Sequence, residues 1–549
     1  MKLQSPFAAL LSIALFAFSF GFLFYRLHFG VDFFDEPFYS ALCLRLFSGQ
    51  ALLKDELNLA SGFSLLSYPF FWAYTKLSGS LEGIILFMRY CFFVLYFALG
   101  IGVFSFVRKG VPKPLAISVS ACTICFFPFN ILTLSYNTLG ILFLTLSLFL
   151  LWSGVSSGRR LLWIASGFFL GLSSLSYVSF LGVGAFVLAW SFLLKRKELV
   201  WLYLGLGLLL AWIYPLLFLF RNQEALFFAL DFAKQRISAS SSGLEVFRVL
   251  HKLFPKQVLF PLFCFYFLSW ILKRHSLRGF EALVSLIPAV ALLFTFLSTH
   301  LWSVYPVYFG ALSLVVWGLG ADSSFRVSLF KWIFLPSCIA GILSALFSAT
   351  RHLNAQVGLV PAVLASLLCL ADFLQGSYAF KKRQAIQVLL VGLPVFFVML
   401  YPLNIWDDSS WPTLTAKVRS GPFKGIYTHS EKREMAEEIY SALHPRLQGK
   451  GPLLIFPNFS AGYLMSFMPP ARGTTWYENS GLTNSILAAL YKSQLNPGSR
   501  VLRMKTYYGT PTMKSYPSFS KEDPLNGFVE TTHEVELETD WFTLWKPRS

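Results

Sequence analysis

Three carboxylates, Asp32, Asp35 and Glu36, stand in the stretch GVDFFDEPFYSALCLRLFSG, directly after the first long apolar run. Carboxylates at the mouth of a membrane span are costly to keep dry and easy to use for chemistry, so a functional site is the first reading of such a cluster. Asp35 and Glu36 point in different directions from the backbone. One can then accept a proton while its neighbour holds a ligand or a cation. A nearby like charge and partial burial both move a carboxylate toward the range of a useful base. The plain alternative for Glu36 is a helix cap with acidic first-turn residues, because Pro37 suits the first turn of a helix. In that case Tyr39, Leu42 and Phe47 pack on the membrane surface.

The elements that must hold this cluster are mostly apolar helices. Of the 549 residues 56% are hydrophobic, 18% are aromatic and only 13% are charged. Apolar runs near twenty residues recur up to about residue 401, the pattern of an α-helical polytopic membrane protein. The net charge of +18 suggests a nucleic-acid partner until its distribution is read. Residues 1–401 hold 29 Lys+Arg against 13 Asp+Glu, and residues 402–549 hold 16 against 14. The basic excess therefore belongs to short loops between spans, which argues for membrane orientation and against nucleic acid. Cys122 and Cys125 form a CxxC inside an apolar helix, better read as small residues on one face than as a metal or redox pair.

Six basic clusters recur along the membrane part: Arg108/Lys109/Lys113, Arg159/Arg160, Lys195/Arg196/Lys197, Lys273/Arg274/Arg278, Arg326/Lys331 and Lys381/Lys382/Arg383. Placing all six in the cytoplasm, with two spans between each consecutive pair, gives about thirteen transmembrane helices, N-terminus in and C-terminus out. The tightest pair of spans is 161–177 and 178–194. The outer face then carries the first loop, 27–82, the turn LSYNTLG at 134–140, and the segments 221–257, 298–308 and 348–356. The chain divides into a membrane domain, 1–401, and a small extracytoplasmic α/β domain, 402–549. In the latter, EKREMAEEIYSAL predicts a helix at 430–444 started by Ser430, GPLLIFP a buried strand, NSILAALYKSQ a second helix, and 500–508, 528–537 and 541–546 further strands. No tail motif looks catalytic.

The sequence DE-x-x-Y after the first span, followed by LRLFSGQAL, Asp55 and then Arg89 in ILFMRY, resembles the membrane-embedded GT-C glycosyltransferases. The likeness is greatest to their polyprenyl-phosphate-sugar branch, which includes protein mannosyltransferases and the aminoarabinose transferase of lipid A, and it covers about 1–400. The resemblance implies that Asp35 is the catalytic base for an acceptor hydroxyl. That hydroxyl attacks the anomeric carbon and displaces polyprenyl phosphate with inversion, while Glu36 orients Asp35, the acceptor or a cation. A phosphate leaving group needs cationic or metal stabilisation. The outer face offers Arg89, Lys252, Lys256 and Arg351, with Lys256 and Arg351 preferred; each is equally readable as a snorkelling interface residue. Tyr39, Asp55, Tyr136, Asn137 and His300 complete the expected substrate-binding set.

Two departures from the family bear on this reading. The first loop reads KDELNLASGFSLLSYP, without the Glu-Lys-Pro element of the aminoarabinose-transferase type. The second outer loop carries Tyr136 and Asn137 where many members have an acidic residue. An amide can bind a sugar hydroxyl but supplies no charge to a metal, so no cofactor is called for and a divalent metal is a lesser alternative. His300 and His352 lack the paired spacing of metal ligands and suit a phosphate or lipid headgroup. Trp302, Tyr305 and Tyr308 read as an interfacial belt. The expected partners are a polyprenyl-phosphate-sugar donor, a lipid, glycan or protein acceptor, and membrane lipid, in a bacterial inner membrane. A transporter or flippase, a polysaccharide polymerase or ligase, and an inactive scaffold are the competing readings.

Overall fold

The computed structural model describes residues 6–56, 58–125, 129, 131–221, 223, 227, 324–348, 354–377, 408, 411–447, 451–473, 475, 499–509, 512–515 and 524–548. Helix α1 (Pro6–Arg26) has its proline at the first helical position, where no N–H is needed. A loop leads to α2 (Asp35–Phe47) and α3 (Ser64–Ser78), which ends at the left-handed Gly79 (φ +67°). Then follow α4 (Ile84–Val107), α5 (Lys113–Cys125), α6 (Tyr136–Ser157), α7 (Arg160–Ser176), α8 (Phe180–Lys195) and α9 (Val200–Arg221). Helix α10 (Ser324–Leu346) and α11 (Ala355–Ser377) complete the apolar set among the described residues. Within α10, Phe330–Phe334 is π-helical. Pro336 follows at once, and its missing N–H leaves the Trp332 carbonyl without its usual donor.

Five of these helices are long and apolar enough to cross a membrane: α1, α4, α6, α9 over Val200–Phe218, and α10. Helices α5 and α7 and the Ala355–Cys369 part of α11 are apolar but shorter. The expected tight pair appears as α7 and α8. The expected spans between 228 and 323 and beyond 377 lie outside the described residues. Leu202, Leu206, Leu209, Ile213, Leu217 and Phe220 are all exposed along α9. Such a surface is stable against lipid tails and costly in water. Helices α7 and α9 touch backbone to backbone, since a Cβ on Gly167 would stand 2.0 Å from the Leu204 carbonyl and one on Gly207 2.0 Å from that of Ile164. Close approach of small residues replaces hydrophobic driving force between helices in lipid.

The C-terminal segment begins, among the described residues, with Asp408 and the short pair β1 (Ala416–Lys417) and β2 (Tyr427–Thr428). Helix α12 (Ser430–Leu447) starts where expected and runs to Leu447. Then come β3 (Leu453–Phe456), buried at every position, and the short α13 (Ala461–Ser466). Strand β4 (Arg500–Met504) is followed by the hairpin β5 (Thr506–Gly509) and β6 (Thr512–Ser515), helix α14 (Pro524–Thr532), β7 (His533–Glu538) and β8 (Phe542–Pro547). The main sheet has order β3-β4-β8-β7; β3 and β4 are parallel and the other pairs antiparallel. The strand expected over 528–537 starts only at His533, because residues 524–532 form an amphipathic helix that ends at the sheet edge. The helix expected at NSILAALYKSQ lies outside the described residues. One continuous apolar core runs from Leu23, Val31 and Leu42 through Ile85 and Leu139 to Ile439, Leu453 and Leu544. The C-terminal segment and the first loop thus share a core.

Candidate functional site

The acidic loop begins at Gly30, whose φ of +88° is easy only for glycine and turns the chain away from α1. From there the backbone is strung along the C-terminal segment. Tyr427 N–H donates to the His28 carbonyl (2.7 Å) and Gly30 N–H to that of Tyr427 (2.9 Å). Val31 N–H donates to Asp408 Oδ2 (3.1 Å), and Ala461 N–H donates to the Phe33 carbonyl (3.1 Å).

The three carboxylates then separate by task. Asp32 accepts from Phe34 N–H (2.7 Å) and Glu36 N–H (2.8 Å), so it closes the first turn of α2 and neutralises its positive end. The cap expected of Glu36 is therefore supplied by Asp32, four residues earlier, because only a side chain ahead of the helix faces its unpaired N–H groups. Glu36 is buried and paired with Arg89 of α4 through Nε to Oε1 (2.7 Å) and Nη2 to Oε2 (2.6 Å). The remaining Arg89 donors reach the carbonyls of Leu27 (2.6 Å), Phe29 (3.2 Å) and Gly30 (2.7 Å). All five guanidinium N–H groups are engaged. Arg89 thus ties the end of α1 and the acidic loop to α4, and the phosphate-facing role expected of it has no donor to serve it.

Asp35 is the first residue of α2 and half buried. It shares a helix face with Tyr39, one turn on. The Tyr39 phenol is pushed well above the usual tyrosine range, first by burial and then by Tyr136, Asp35 and Asp32, so it remains a neutral hydrogen-bonding group. Tyr39 and Tyr136 hydrogen-bond, with ring centroids 5.6 Å apart and nearly perpendicular. Tyr39, Leu42 and the residues between Glu36 and Arg45 are buried, so α2 is packed against protein on nearly every side and does not lie on the membrane surface as expected. Its neighbours are α3, α4 and α13.

Tyr136 and Asn137 open α6, which Ser135 and Thr138 start with a reciprocal cap: Ser135 Oγ accepts from Thr138 N–H (3.1 Å) and Thr138 Oγ1 from Ser135 N–H (2.9 Å). The Asn137 side chain is 2% exposed, and its Oδ1 has no hydrogen-bond partner among the described residues. Two residues absent from the expected set join this group. The Tyr177 ring lies 5.8 Å from that of Tyr136, tilted by 45°, and Asn354 Nδ2 donates to the Tyr177 hydroxyl (3.0 Å). Tyr177 breaks the small-residue run at the α7–α8 turn, which is the only trace it leaves in the sequence.

Asp55 lies apart from this group. Its Oδ2 accepts from Ala51 N–H (2.7 Å), Oδ1 is 2.9 Å from Arg472 Nε, and its carbonyl accepts from Gly473 N–H (2.9 Å). Close by, the buried Arg45 pairs with Glu56 (3.0 Å) and donates to Thr475 Oγ1 (2.8 Å) and the Ala471 carbonyl (2.7 Å). These residues fasten the first loop to segment 470–475. Lys256, His300 and Arg351 lie outside the described residues. Among the described residues no group of three or more His, Cys, Asp or Glu could hold a metal ion.

No family model matches the chain, and no curated protein does. Among solved structures it is similar to the oligosaccharyltransferase of Archaeoglobus fulgidus, solved in complex with Zn and sulfate, at 12% identity and TM-score 0.48, over 89% of this chain and 68% of that one. It is similar also to ArnT from Cupriavidus metallidurans in the apo state, at 13% identity and TM-score 0.38, over 97% of both chains. The same protein bound to undecaprenyl phosphate gives 13% and 0.39.

Proposed function

We propose that this chain is a membrane-embedded glycosyltransferase that moves a sugar from a polyprenyl-phosphate donor to an acceptor hydroxyl at the outer face, with Asp35 as general base. The observation that carries the reading is the position of Asp35: half buried at the head of a helix fixed by Asp32 in front and by the Glu36–Arg89 pair behind. A base works best when neighbouring bonds hold its backbone rigidly, and here its two acidic neighbours do that.

In the proposed reaction the Asp35 carboxylate takes the proton of the acceptor hydroxyl. The acceptor oxygen forms a bond to the anomeric carbon as the bond from that carbon to the phosphate oxygen breaks. Polyprenyl phosphate leaves with both bonding electrons, and the anomeric centre inverts. Tyr39, Tyr136 and Asn137 offer neutral donors and acceptors suited to sugar hydroxyls. Negative charge gathers on the leaving phosphate, and Arg89 is already saturated, so Lys256 and Arg351 are the cations proposed for it, and His300 is proposed as a further phosphate-binding group. The loop 27–82 and the segment 402–549 bond to each other, which supports one shared side for both, taken as the outer side. The sugar, hexosyl or pentosyl, and the acceptor, a lipid, glycan or protein, are read from the product.

The test is mass spectrometry of cell-envelope glycans with and without the gene, and with Asp35→Asn supplied in its place. The expected result is a product that disappears with the gene and falls by about 10²-fold or more in the variant, the usual worth of a general base. Near-wild-type product from Asp35→Asn, at normal protein level, would remove Asp35 from the mechanism.

A further inference from the structure

Asp408 comes from a distant part of the chain, yet it lies buried against the acidic loop, with its side chain closed off from solvent. Its Oδ2 accepts from Val31 N–H (3.1 Å) and from the buried Thr428 hydroxyl (2.6 Å). Lys432 Nζ of α12 is 4.0 Å from Oδ2, and His429 Nε2 is 3.7 Å from Oδ1. Arg26 lies within electrostatic range of Asp408. Lys432 is itself buried and stands over the Phe33 ring at 5.5 Å. Two residues of the acidic loop, Val31 and Phe33, are thus gripped by one charged pair from the C-terminal segment. A buried carboxylate is costly unless it is paired and hydrogen-bonded, as this one is, and such bonds fix a geometry. The geometry it specifies is the path of the backbone immediately ahead of Asp32 and Asp35.

We propose that Asp408 is the positioning residue of the acidic loop: through Val31 N–H it sets where the loop enters α2, and hence where Asp35 stands. This inference rests on the proposed role of Asp35, but the loop geometry has its own readout. Asp408→Ala removes the acceptor. Asp408→Asn keeps an acceptor oxygen of the same shape for Val31 and Thr428.

The experiment is hydrogen exchange on the full-length protein in detergent, followed peptide by peptide, beside the envelope product of each variant. In Asp408→Ala, exchange in the peptide covering 29–36 is expected to rise about tenfold or more, the worth of one lost bond to a charged group. Peptides from α4 and α6 stay protected, and product falls with the loop. Asp408→Asn keeps the acceptor for Val31 N–H but strands the buried Lys432, so its unfolding midpoint falls while protection of 29–36 relative to α4 and α6, and product per folded protein, are retained. Unchanged loop exchange in the alanine variant overturns the proposal, as does a rise spread evenly over the protein. If Asp408→Ala does not accumulate, Asp408→Asn decides alone: loss of loop protection and product there overturns the proposal, and retention of both supports it. Failure of the base assignment is read elsewhere, in the product of Asp35→Asn, so the two ideas fall separately.

Discussion

Glu36→Gln leaves the Arg89 guanidinium buried without its counter-charge and with one of its two acceptor oxygens replaced by an amide NH2, whereas Asp35→Asn alters a half-buried group one residue away. Removing one member of a buried ion pair costs about 3–5 kcal/mol, because the other charge is stranded. Thermal unfolding in detergent is therefore expected to show a clearly lower midpoint for Glu36→Gln and an almost unchanged one for Asp35→Asn. Equal midpoints would mean that the Glu36–Arg89 pair does not hold the loop. The contrast separates carboxylates that look alike in sequence. Asp32 spends its oxygens on two helix N–H groups, Glu36 on a guanidinium, and only Asp35 combines partial exposure with a neutral tyrosine on its own helix face.

Helix α2 carries the proposed base, yet nothing in its own composition keeps it in place. It is short, and its interior residues face protein on all sides, so its position comes from α3, α4 and α13. A helix of this length is marginal alone and is stabilised by packing. The helix pair α7–α9 shows the same dependence in the membrane part. Gly207→Ala would set a Cβ 2.0 Å from the Ile164 carbonyl, a backbone atom with no freedom to move aside. The helices must part, at a cost of about 1–3 kcal/mol, typical of overpacking. A reduced unfolding midpoint is the expected outcome. An unaltered midpoint would show that α7 and α9 are not in contact through this glycine. Substitution at Gly205, one residue pair away, meets only a distant Leu188 methyl at 3.8 Å and serves as the control.

Across the whole molecule, the C-terminal segment and the first loop behave as one body. Two buried charge centres join them: Asp408 at the entry to the acidic loop and Arg45 in the last turn of α2. Arg45→Ala strands Glu56, which then keeps, among the described residues, its bonds from Asn58 N–H (3.3 Å), Thr475 N–H (2.8 Å) and the Thr475 hydroxyl (2.6 Å) but no counter-charge. A destabilisation of about 3–5 kcal/mol is expected, again from an unpaired buried charge. Hydrogen exchange should rise in 470–473 and in 45–56 together. A rise in only one of the two segments would show that Arg45 is not the joint between them.

Much of this was legible from residue order. The apolar runs predict α1, α4, α6 and the tight pair α7–α8 because a lipid-spanning helix must be apolar over its whole length, a local property of consecutive residues. The tail helix at Ser430 and the buried strand at Leu453 follow from local periodicity in the same way. The proximity of Tyr39 to Tyr136 was implied only by both being placed in outer loops. The division of labour among Asp32, Asp35 and Glu36 was not legible, nor was the saturation of Arg89, the part played by Tyr177 and Asn354, or the grip of Asp408. Each depends on partners far apart in the chain: 53 residues separate Arg89 from Glu36, and 377 separate Val31 from Asp408. Sequence by itself determined which residues carry charge and which segments must leave water, since both are properties of side chains and their immediate neighbours. Which charge meets which was decided only when the chain closed on itself, because an ion pair is selected by the packing that brings its two halves together.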